Sequence, residues 1–245
     1  MIGPRPGEAP TVVMLHEGLG SVGLWGDFPA RLAEATGLGA FAYSRAGYGR
    51  SSPAPLPWAT TFMHEHAREV LPRVLDAISL RDGILLGHSD GASIATIFAG
   101  SVDDPRLRGV VLLAPHFFTE DFGIAAIARA RQAYETTGLR ARLGRWHRDP
   151  DNAFHGWSGA WLDPAFRRWD ITAELAAIRV PLLVVQGVDD HYGTLRQVEA
   201  AKELCQGPVK TVVLPATRHA PHHESPAATL AAIVDFCPPD VVLRG

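Results

Sequence analysis

The sequence predicts an α/β fold: a mostly parallel sheet of about six strands with helices on both faces. Short runs of strand-forming apolar residues recur along the 245-residue chain, and segments with helical periodicity separate most of them. Such alternation is typical of βαβ units. The first run, Thr11–Leu15, continues without polar alternation, as expected for a strand covered on both faces. The length suits one domain with at most a small insertion.

The predicted elements follow in order along the chain. Strands are predicted at Thr11–Leu15, Ala40–Tyr43, Gly83–Leu86, Val110–Ala114, Leu182–Gln186 and Lys210–Leu214. Helices are predicted at Leu24–Ala35, Phe62–Ile78, Gly91–Gly100, Ile124–Glu135, Leu195–Cys205 and Pro226–Phe236. Proline lacks the N–H that a helix interior needs, so Pro72 is expected to kink or divide the second helix.

One long segment interrupts the alternation. Residues 116–179 contain no convincing strand but carry four of the six tryptophans, which are Trp146, Trp157, Trp161 and Trp169. We interpret this segment as a helical cap over the strand ends. The core domain is then formed by residues 1–115 and 180–245.

Composition excludes several function classes. The formal net charge of −3 offers no electrostatic footprint for nucleic acid or an anionic membrane. Two cysteines, Cys205 and Cys237, are too few for a disulfide framework and are expected to be reduced thiols. No signal peptide is visible, and no apolar stretch approaches the roughly 18 residues of a membrane span. We expect a cytoplasmic protein with a small-molecule substrate and no nucleic-acid or membrane partner; the oligomeric state stays open.

The motif with the clearest chemistry is Gly87-His88-Ser89-Asp90-Gly91, which matches G-x-S-x-G where a predicted strand meets a predicted helix. In this context the serine is held in a tight, strained turn at a helix N-terminus. Side chains at the two glycine positions are expected to clash with the neighbouring strand and helix. Ser89 is therefore the predicted nucleophile.

A nucleophilic serine needs a base, and the base needs an orienting acid. Two adjacent acids, Asp189 and Asp190, follow the fifth predicted strand. Histidines follow the sixth, with His219 first and His222 and His223 close behind. Order and placement fit a Ser-Asp-His triad, while the residues alone leave open which acid and which histidine take part.

These motifs together resemble the α/β-hydrolase superfamily over residues 11–236. The superfamily's acid motif, G-x-x-D, selects Asp190 after Gly187. Its histidine motif, G-H-x-x-x-x-E-x-P, selects His219 through the spacing to Glu224 and Pro226, although Arg218 replaces the glycine. The resemblance implies Ser89, Asp190 and His219 as the catalytic triad, and it implies no cofactor.

The loop after the first strand, His16-Glu17-Gly18-Leu19-Gly20, resembles the superfamily's H-G-x-x-G loop, with Glu17 where glycine is usual. The resemblance implies that the backbone N–H groups of Gly18 and Asp90 form an oxyanion hole. A carboxylate near an oxyanion would hinder catalysis, so Glu17 is expected to face away from the site, toward an arginine. His16 is expected to brace the loop.

Two further features bear on fold and ligands. Members of the superfamily usually carry a β-hairpin before the oxyanion strand, and the ten residues before Thr11 predict that this hairpin is absent or vestigial. The run His222-His223-Glu224 could be mistaken for a metal cluster. Adjacent histidines do not converge on one ion, so no metal site is expected.

The resemblance implies a serine hydrolase that cleaves a small-molecule carboxylic ester through an acyl-enzyme. The same triad serves carbon–carbon bond hydrolases acting on diketones, lactonases and cofactor-free perhydrolases, and the fold alone does not choose among them. Dehalogenases and epoxide hydrolases of this fold use aspartate as nucleophile and are disfavoured. A non-catalytic ligand receptor on the same fold is the rival from another class.

Two hints about the substrate conflict. Asp90 directly follows the nucleophile, as in a few amino-acid-ester hydrolases that bind a substrate ammonium there; alternatively it only hydrogen-bonds Arg45 or the cap. Residues 129–148 carry six arginines against one glutamate, which suits either an anionic substrate or a solvated helix face. The cap tryptophans suit an apolar acyl pocket or plain packing.

Overall fold

The computed structural model describes residues 1–237 and contains one six-stranded sheet. The strands are β1 (Thr11–Leu15), β2 (Gly39–Ala42), β3 (Gly83–His88), β4 (Leu107–Leu113), β5 (Leu182–Gly187) and β6 (Val209–Leu214). All neighbouring pairs are parallel, in the order β2-β1-β3-β4-β5-β6. The predicted fold class is confirmed, and each predicted strand overlaps an observed one.

The helices lie on both faces of the sheet. They are α1 (Phe28–Thr36), α2 (Phe62–Glu65), α3 (Leu71–Ala77), α4 (Asp90–Ser101), α5 (Asp121–Thr136), α6 (Leu139–Leu143), α7 (Pro150–Leu162), α8 (Thr172–Ala177), α9 (Arg196–Leu204), α10 (Pro221–Glu224) and α11 (Pro226–Phe236). Side chains alternate along each strand, so Val13 and Leu15 face one core and Val12 and Met14 face the other. Each buried strand is thereby fixed in register by two apolar layers.

Two predicted helices differ in detail from the observed ones. The helix predicted over residues 24–35 is divided into a 3₁₀ turn, Val22–Trp25, and α1, because Gly26 lies between them at φ 56°. Between α2 and α3 the chain forms a π-helical segment, His66–Val70. That wider turn lies just before Pro72, which cannot donate a backbone hydrogen bond, so the segment bends where the proline predicts it.

The residues between β4 and β5 are helical. They form α5 to α8 and a 3₁₀ helix, Pro164–Arg168. Phe118 and Asp170 form an isolated antiparallel bridge. The two ends of the helical segment from α5 to the 3₁₀ helix therefore lie side by side. α8 lies beyond that bridge and packs closely on α4, where a Cβ on Gly100 would approach the carbonyl oxygen of Glu174 to 2.0 Å.

At the amino end, Ile2 forms a single antiparallel bridge to Ala40 at the edge of β2. Among residues 1–237, no helix has the length and apolar character that crossing a membrane requires. The sheet order places the crevice for a ligand: the chain runs from β1 outward to β2 and then returns to β3 on the other side of β1. The loops after β1 and β3 diverge there, and ligands of open parallel sheets bind at such a switch point.

Candidate active site

Ser89 lies in the turn between β3 and α4 with φ 52° and ψ −116°. Residues other than glycine rarely adopt this backbone conformation. A Cβ on Gly87 would lie 2.2 Å from the carbonyl oxygen of Gly91. A Cβ on Gly91 would lie 2.0 Å from the carbonyl oxygen of Leu15 in β1. Both glycines are therefore required by close backbone approach, as the motif predicts.

Replacing Gly91 with alanine is expected to lower the free energy of unfolding by about 3 kcal/mol, because the new methyl group displaces the backbone of a central strand. Gly159 in α7 is the matched control, since a Cβ there meets nothing within 4 Å. Gly159→Ala should stabilise the protein by about 0.5–1 kcal/mol through helix propensity. Urea unfolding followed by circular dichroism measures both changes. A Gly91→Ala variant as stable as the wild type would contradict this packing.

The structure brings Ser89, His219 and Asp190 together in a chain of hydrogen-bonding distances. The Oγ atom of Ser89 lies 2.9 Å from Nε2 of His219. On the other side of the ring, Nδ1 of His219 lies 2.8 and 2.9 Å from the two carboxylate oxygens of Asp190. This is the geometry that activates a nucleophile by a base which an acid orients.

The carboxylate of Asp190 is buried and fully hydrogen-bonded. It accepts from Nε2 of Gln186 at 2.7 Å and from the backbone N–H of Tyr192 at 2.8 Å. Burial acts to raise the pKa of Asp190, but the hydrogen bond and charge of His219 hold that pKa well below its usual range. The group is therefore ionised at neutral pH and able to stabilise an imidazolium.

The neighbouring candidates lie elsewhere. Asp189 is exposed, and its backbone N–H donates to the carbonyl of Thr217. His222 is buried, with its ring centroid 4.8 Å from the rings of both Trp25 and His88. Burial lowers the pKa of His222 well below the usual histidine value. Neither Asp189 nor His222 hydrogen-bonds Ser89 or His219.

Among the described residues, no group of three or more histidine, cysteine, aspartate or glutamate side chains could hold a metal ion.

Gly18 and Asp90, the predicted oxyanion residues, line the same cavity as Ser89. Asp90 is the first residue of α4, so its backbone N–H lies among the unpaired donors of a helix N-terminus. Gly18 lies against the cap: a Cβ there would come within 2.1 Å of Nε1 of Trp157. The close approach of Trp157 explains why this position carries glycine.

The loop after β1 is braced from below by Arg45 and His16. The guanidinium of Arg45 donates from Nη1 to the carbonyl of His16, and from Nη2 to that of Glu17 at 3.0 Å. Nε2 of His16 accepts from the backbone N–H of Arg45 at 3.1 Å, and its Nδ1 lies 2.7 Å from the carbonyl of Glu17. His16 therefore braces the loop after β1, as expected.

The Glu17 side chain has a different partner from the one expected. Its Oε2 lies 3.4 Å from Nδ1 of His88. The expected arginine partner is wrong, because Arg45 hydrogen-bonds the backbone carbonyl of Glu17 and not its carboxylate. Burial alone would raise the pKa of Glu17 and lower that of His88, but their mutual interaction shifts both the other way. The Glu17 carboxylate thus lies against an imidazole whose pKa it raises, because His88 reaches under the loop.

His88 was not singled out by sequence reasoning, although it links two parts of the site. Its Nε2 lies 2.7 Å from the backbone carbonyl of His219, so it connects the loop after β1 to the loop carrying the base. Gln186 was missed as well. The sequence contains one indication of its role: Gln186 is a polar residue at the end of an apolar run, just before the turn that carries Asp189 and Asp190.

A cavity lies above Ser89. Its roof is apolar and comes from the cap, with Ile124 and Ile127 on α5 and Trp157 and Trp161 on α7. The other two cap tryptophans do not contribute: Trp146 is exposed, and the ring of Trp169 stacks on that of Phe166.

The polar lining is acidic. Three carboxyl residues, Glu17, Asp90 and Glu120, line the cavity, and among the described residues no lysine or arginine does. Oδ1 of Asp90 accepts from Nε1 of Trp161 at 3.1 Å, while its Oδ2 is buried without a protein partner in the described part of the chain. Burial raises the pKa of Asp90 to about 6.

The basic residues of the cap lie away from this cavity. All six arginines between residues 129 and 148 are exposed, and they are Arg129, Arg131, Arg140, Arg142, Arg145 and Arg148. Arg140 pairs with Asp151, with 2.8 Å between Nε and Oδ1. The arginine cluster is thus a solvated face of the cap, and none of its members lines the cavity above Ser89.

The fold and this arrangement agree with the comparison to known families. A sequence profile described as the alpha/beta hydrolase family matches residues 12–233. The chain belongs to the alpha/beta hydrolase family. The description of this family names hydrolysis as its reaction class.

Individual relatives are more distant. Epoxide hydrolase A of Mycobacterium tuberculosis (strain ATCC 25618 / H37Rv) is 32% identical over 78 residues, 31% of this chain and 24% of that protein. A hydrolase from Pseudomonas aeruginosa PA01 superposes with a TM-score of 0.71 at 25% identity, covering 95% of this chain and 91% of that one. The enol-lactonase from Burkholderia xenovorans LB400 has a TM-score of 0.74 at 20% identity, covering 96% and 93%, and shares the fold.

Proposed function

We propose that this hydrolase is a serine esterase that cleaves a small-molecule carboxylic ester through an acyl-enzyme. The observation that carries the proposal is the chain from Ser89 Oγ to His219 Nε2 at 2.9 Å, and from His219 Nδ1 to Asp190 at 2.8 Å. Epoxide hydrolases of this superfamily are expected to carry aspartate at the elbow, where this chain has Ser89. The elbow residue therefore favours acyl transfer.

The chemistry follows from the positions of the side chains. Nε2 of His219 takes the proton of Ser89 as Oγ attacks the ester carbonyl carbon. The backbone N–H groups of Gly18 and Asp90 stabilise the negative charge that moves onto the carbonyl oxygen. His219 then gives the proton to the leaving alcohol oxygen, and the C–O bond breaks. A water molecule, deprotonated by His219, attacks the carbonyl carbon of the acyl-enzyme. His219 returns that proton to Oγ of Ser89 as the bond from Oγ to the acyl carbon breaks and the acid leaves.

We further propose that residues 116–179 act as the cap of this site, on a core of residues 1–115 and 180–245. Helices α5 and α7 supply the apolar roof of the cavity. The roof lowers the water content above Ser89, and electrostatic stabilisation of the oxyanion is stronger in such a site. Substrate choice is therefore a property of the cap and of the polar groups beneath it.

A fluorophosphonate probe tests the proposal directly. We expect covalent labelling of the wild-type protein at Ser89, located by mass spectrometry, and no labelling of Ser89→Ala. Hydrolysis of at least one member of a panel of esters, thioesters, lactones and diketones should disappear in the same variant. Lack of labelling in the wild type would instead favour the rival interpretation, a ligand receptor on this fold.

The carboxyl group of Asp90 supports a preference for substrates that carry a positive group. Asp90 is 1% exposed, and its Oδ2 has no protein partner among residues 1–237. The faces of Trp157 and Trp161 can contribute cation–π attraction beside it. The cap arginines are exposed and do not line the cavity, which supports the hint from Asp90 over the hint from the arginines. The alternative for Asp90, a hydrogen bond to the cap, is met at Oδ1 by Trp161, and the proposal rests on the remaining oxygen, Oδ2.

Asp90 should make the preference for a cation depend on pH. A carboxyl group whose pKa is about 6 is ionised above pH 6 and neutral below it. We compare ethyl trimethylglycinate, which has a permanent positive charge, with its neutral isostere ethyl 3,3-dimethylbutanoate. The ratio of their kcat/KM values should fall about 10-fold as the pH drops from 7.5 to 5, since one ion pair is lost. A pH effect on the catalytic steps that the two esters share cancels in the ratio.

Asp90→Asn should show the low ratio at every pH. Glu120→Gln is the matched control, because the Glu120 carboxylate already accepts hydrogen bonds from Thr194 and Gln197. Its ratio should stay within about twofold of the wild-type value. A wild-type ratio independent of pH, together with an unchanged ratio in Asp90→Asn, would exclude a charge-recognising role for Asp90.

A further inference from the structure

The cavity above Ser89 contains a second imidazole that the catalytic steps do not use. His116 follows the end of β4, is 6% exposed and lines the cavity. Its ring centroid lies 5.6 Å from that of His219 and 5.4 Å from that of Trp161, which it meets edge to face. The ring is therefore part of the cavity wall beside the base.

The sheet order fixes the side of Ser89 on which His116 lies. Ser89 follows β3, whose two neighbours are β1 and β4. The loop with Gly18 follows β1, and His116 follows β4, so the two flank Ser89 from opposite sides. With the carbonyl oxygen held by the N–H of Gly18, the leaving oxygen must lie near Nε2 of His219 to receive its proton. That region is the side where His116 lies.

The ring of His116 is free to bind a ligand. Within residues 1–237 no protein group hydrogen-bonds either ring nitrogen, whereas its backbone is anchored independently of the ring. The His116 carbonyl accepts from Oγ of Ser93 at 2.7 Å, and the next N–H, of Phe117, donates to Oε1 of Gln197 at 2.8 Å. Burial and the neighbouring His219 lower the pKa of His116 to about 4. At neutral pH the ring thus has one donor and one acceptor.

We propose that His116 is a specificity-determining residue that hydrogen-bonds a hydroxyl or ether oxygen on the leaving alcohol, two carbons beyond the ester oxygen. This inference rests on the proposed ester hydrolysis and adds the class of alcohol. A neutral imidazole can donate to such an oxygen and, for a hydroxyl, can also accept from it. An aliphatic alcohol would leave the ring nitrogens unpaired in a buried site, which costs binding energy.

Two isosteric esters test the proposal. 2-Hydroxyethyl butanoate and propyl butanoate differ only by OH in place of CH₃ at the end of the alcohol. We define the preference as the ratio of their kcat/KM values, and we expect it to fall about 10-fold in His116→Phe, the loss of one buried hydrogen bond. His116→Asn keeps a donor and an acceptor, so it should retain part of the preference.

His191 provides the matched control. Its ring centroid lies 6.2 Å from that of His219, almost as close as that of His116, but the residue is exposed and is not part of the cavity lining. His191→Phe should leave the preference unchanged. Circular dichroism and fluorophosphonate labelling check that each variant folds and keeps a reactive Ser89.

The outcomes separate the inference from the function beneath it. A wild-type preference no greater than that of alkaline hydrolysis overturns the role of His116, as does an unchanged preference in His116→Phe. Equal loss of activity toward both esters in His116→Phe overturns it too, because a merely structural role gives that result. Labelling of Ser89 without hydrolysis of either ester overturns the assigned alcohol class. An unlabelled wild-type protein refutes the serine-esterase proposal itself, and the His116 inference falls with it.

Discussion

Replacing Ser89 with alanine is expected to lower kcat by about 10⁶-fold, and replacing His219 with alanine should have a nearly equal effect. The reason is that the two residues act as one unit: the hydroxyl is a poor nucleophile without the base, and the base has nothing to deprotonate without the hydroxyl. The 2.9 Å separation of Oγ and Nε2 makes this coupling direct. The double variant should therefore be no slower than either single variant. Steady-state hydrolysis of the best ester in the panel measures all three rates.

His223→Ala is the control for the base. His223 is exposed, lies four residues from His219, and points its Nε2 toward the carbonyl of Leu24 at 2.8 Å. Its loss should change kcat by less than about twofold, as for most surface substitutions. Additive losses in the Ser89 and His219 variants would mean that the two side chains act independently, and the assignment of His219 as base would then be wrong.

The sequence predicted the sheet with little error, because the signals for its strands are local. The four central strands, β1, β3, β4 and β5, are short and mostly apolar runs that are buried along most of their length. Such continuous runs are typical of parallel strands that helices cover on both faces. The motif that contains Gly87, Ser89 and Gly91 indicates its turn, because a Cβ at either glycine would lie about 2 Å from a backbone oxygen. Strands and turns that depend on residues close together in the chain could therefore be predicted from the sequence.

Features that depend on packing between distant residues were not predicted. Glu17 was expected to meet an arginine, yet its charge partner is His88, which is 71 positions away and is brought under the loop by the pairing of β1 with β3. His116 carries no motif, and its position after β4 becomes informative once the sheet order places it beside Ser89. The break at Gly26 likewise depends on a positive φ that a helical pattern does not reveal.

The choice between the two adjacent acids is open to a sharp test. Asp190→Asn is expected to lower kcat by about 10⁴-fold, whereas Asp189→Asn should stay within about twofold of the wild type. The carboxylate of Asp190 accepts the Nδ1–H of His219, which fixes the tautomer with a free Nε2 facing Ser89. An asparagine amide can donate to Nδ1 instead and so stabilise the wrong tautomer. Asp189 is exposed and has no such contact.

The Asp190 variant should otherwise resemble the wild type. Asparagine has the same shape, and its side-chain oxygen at the Oδ1 position can still accept from the backbone N–H of Tyr192. Gln186, which donates to Oδ2 in the wild type, can turn its amide so that its own oxygen accepts from the new N–H. We therefore expect an unchanged circular dichroism spectrum and a KM within a fewfold of the wild-type value, so that the loss falls on kcat. Full activity in Asp190→Asn, or a large loss in Asp189→Asn, would transfer the role of the acid to Asp189. It would also mean that His219 turns away from the position it has in this structure.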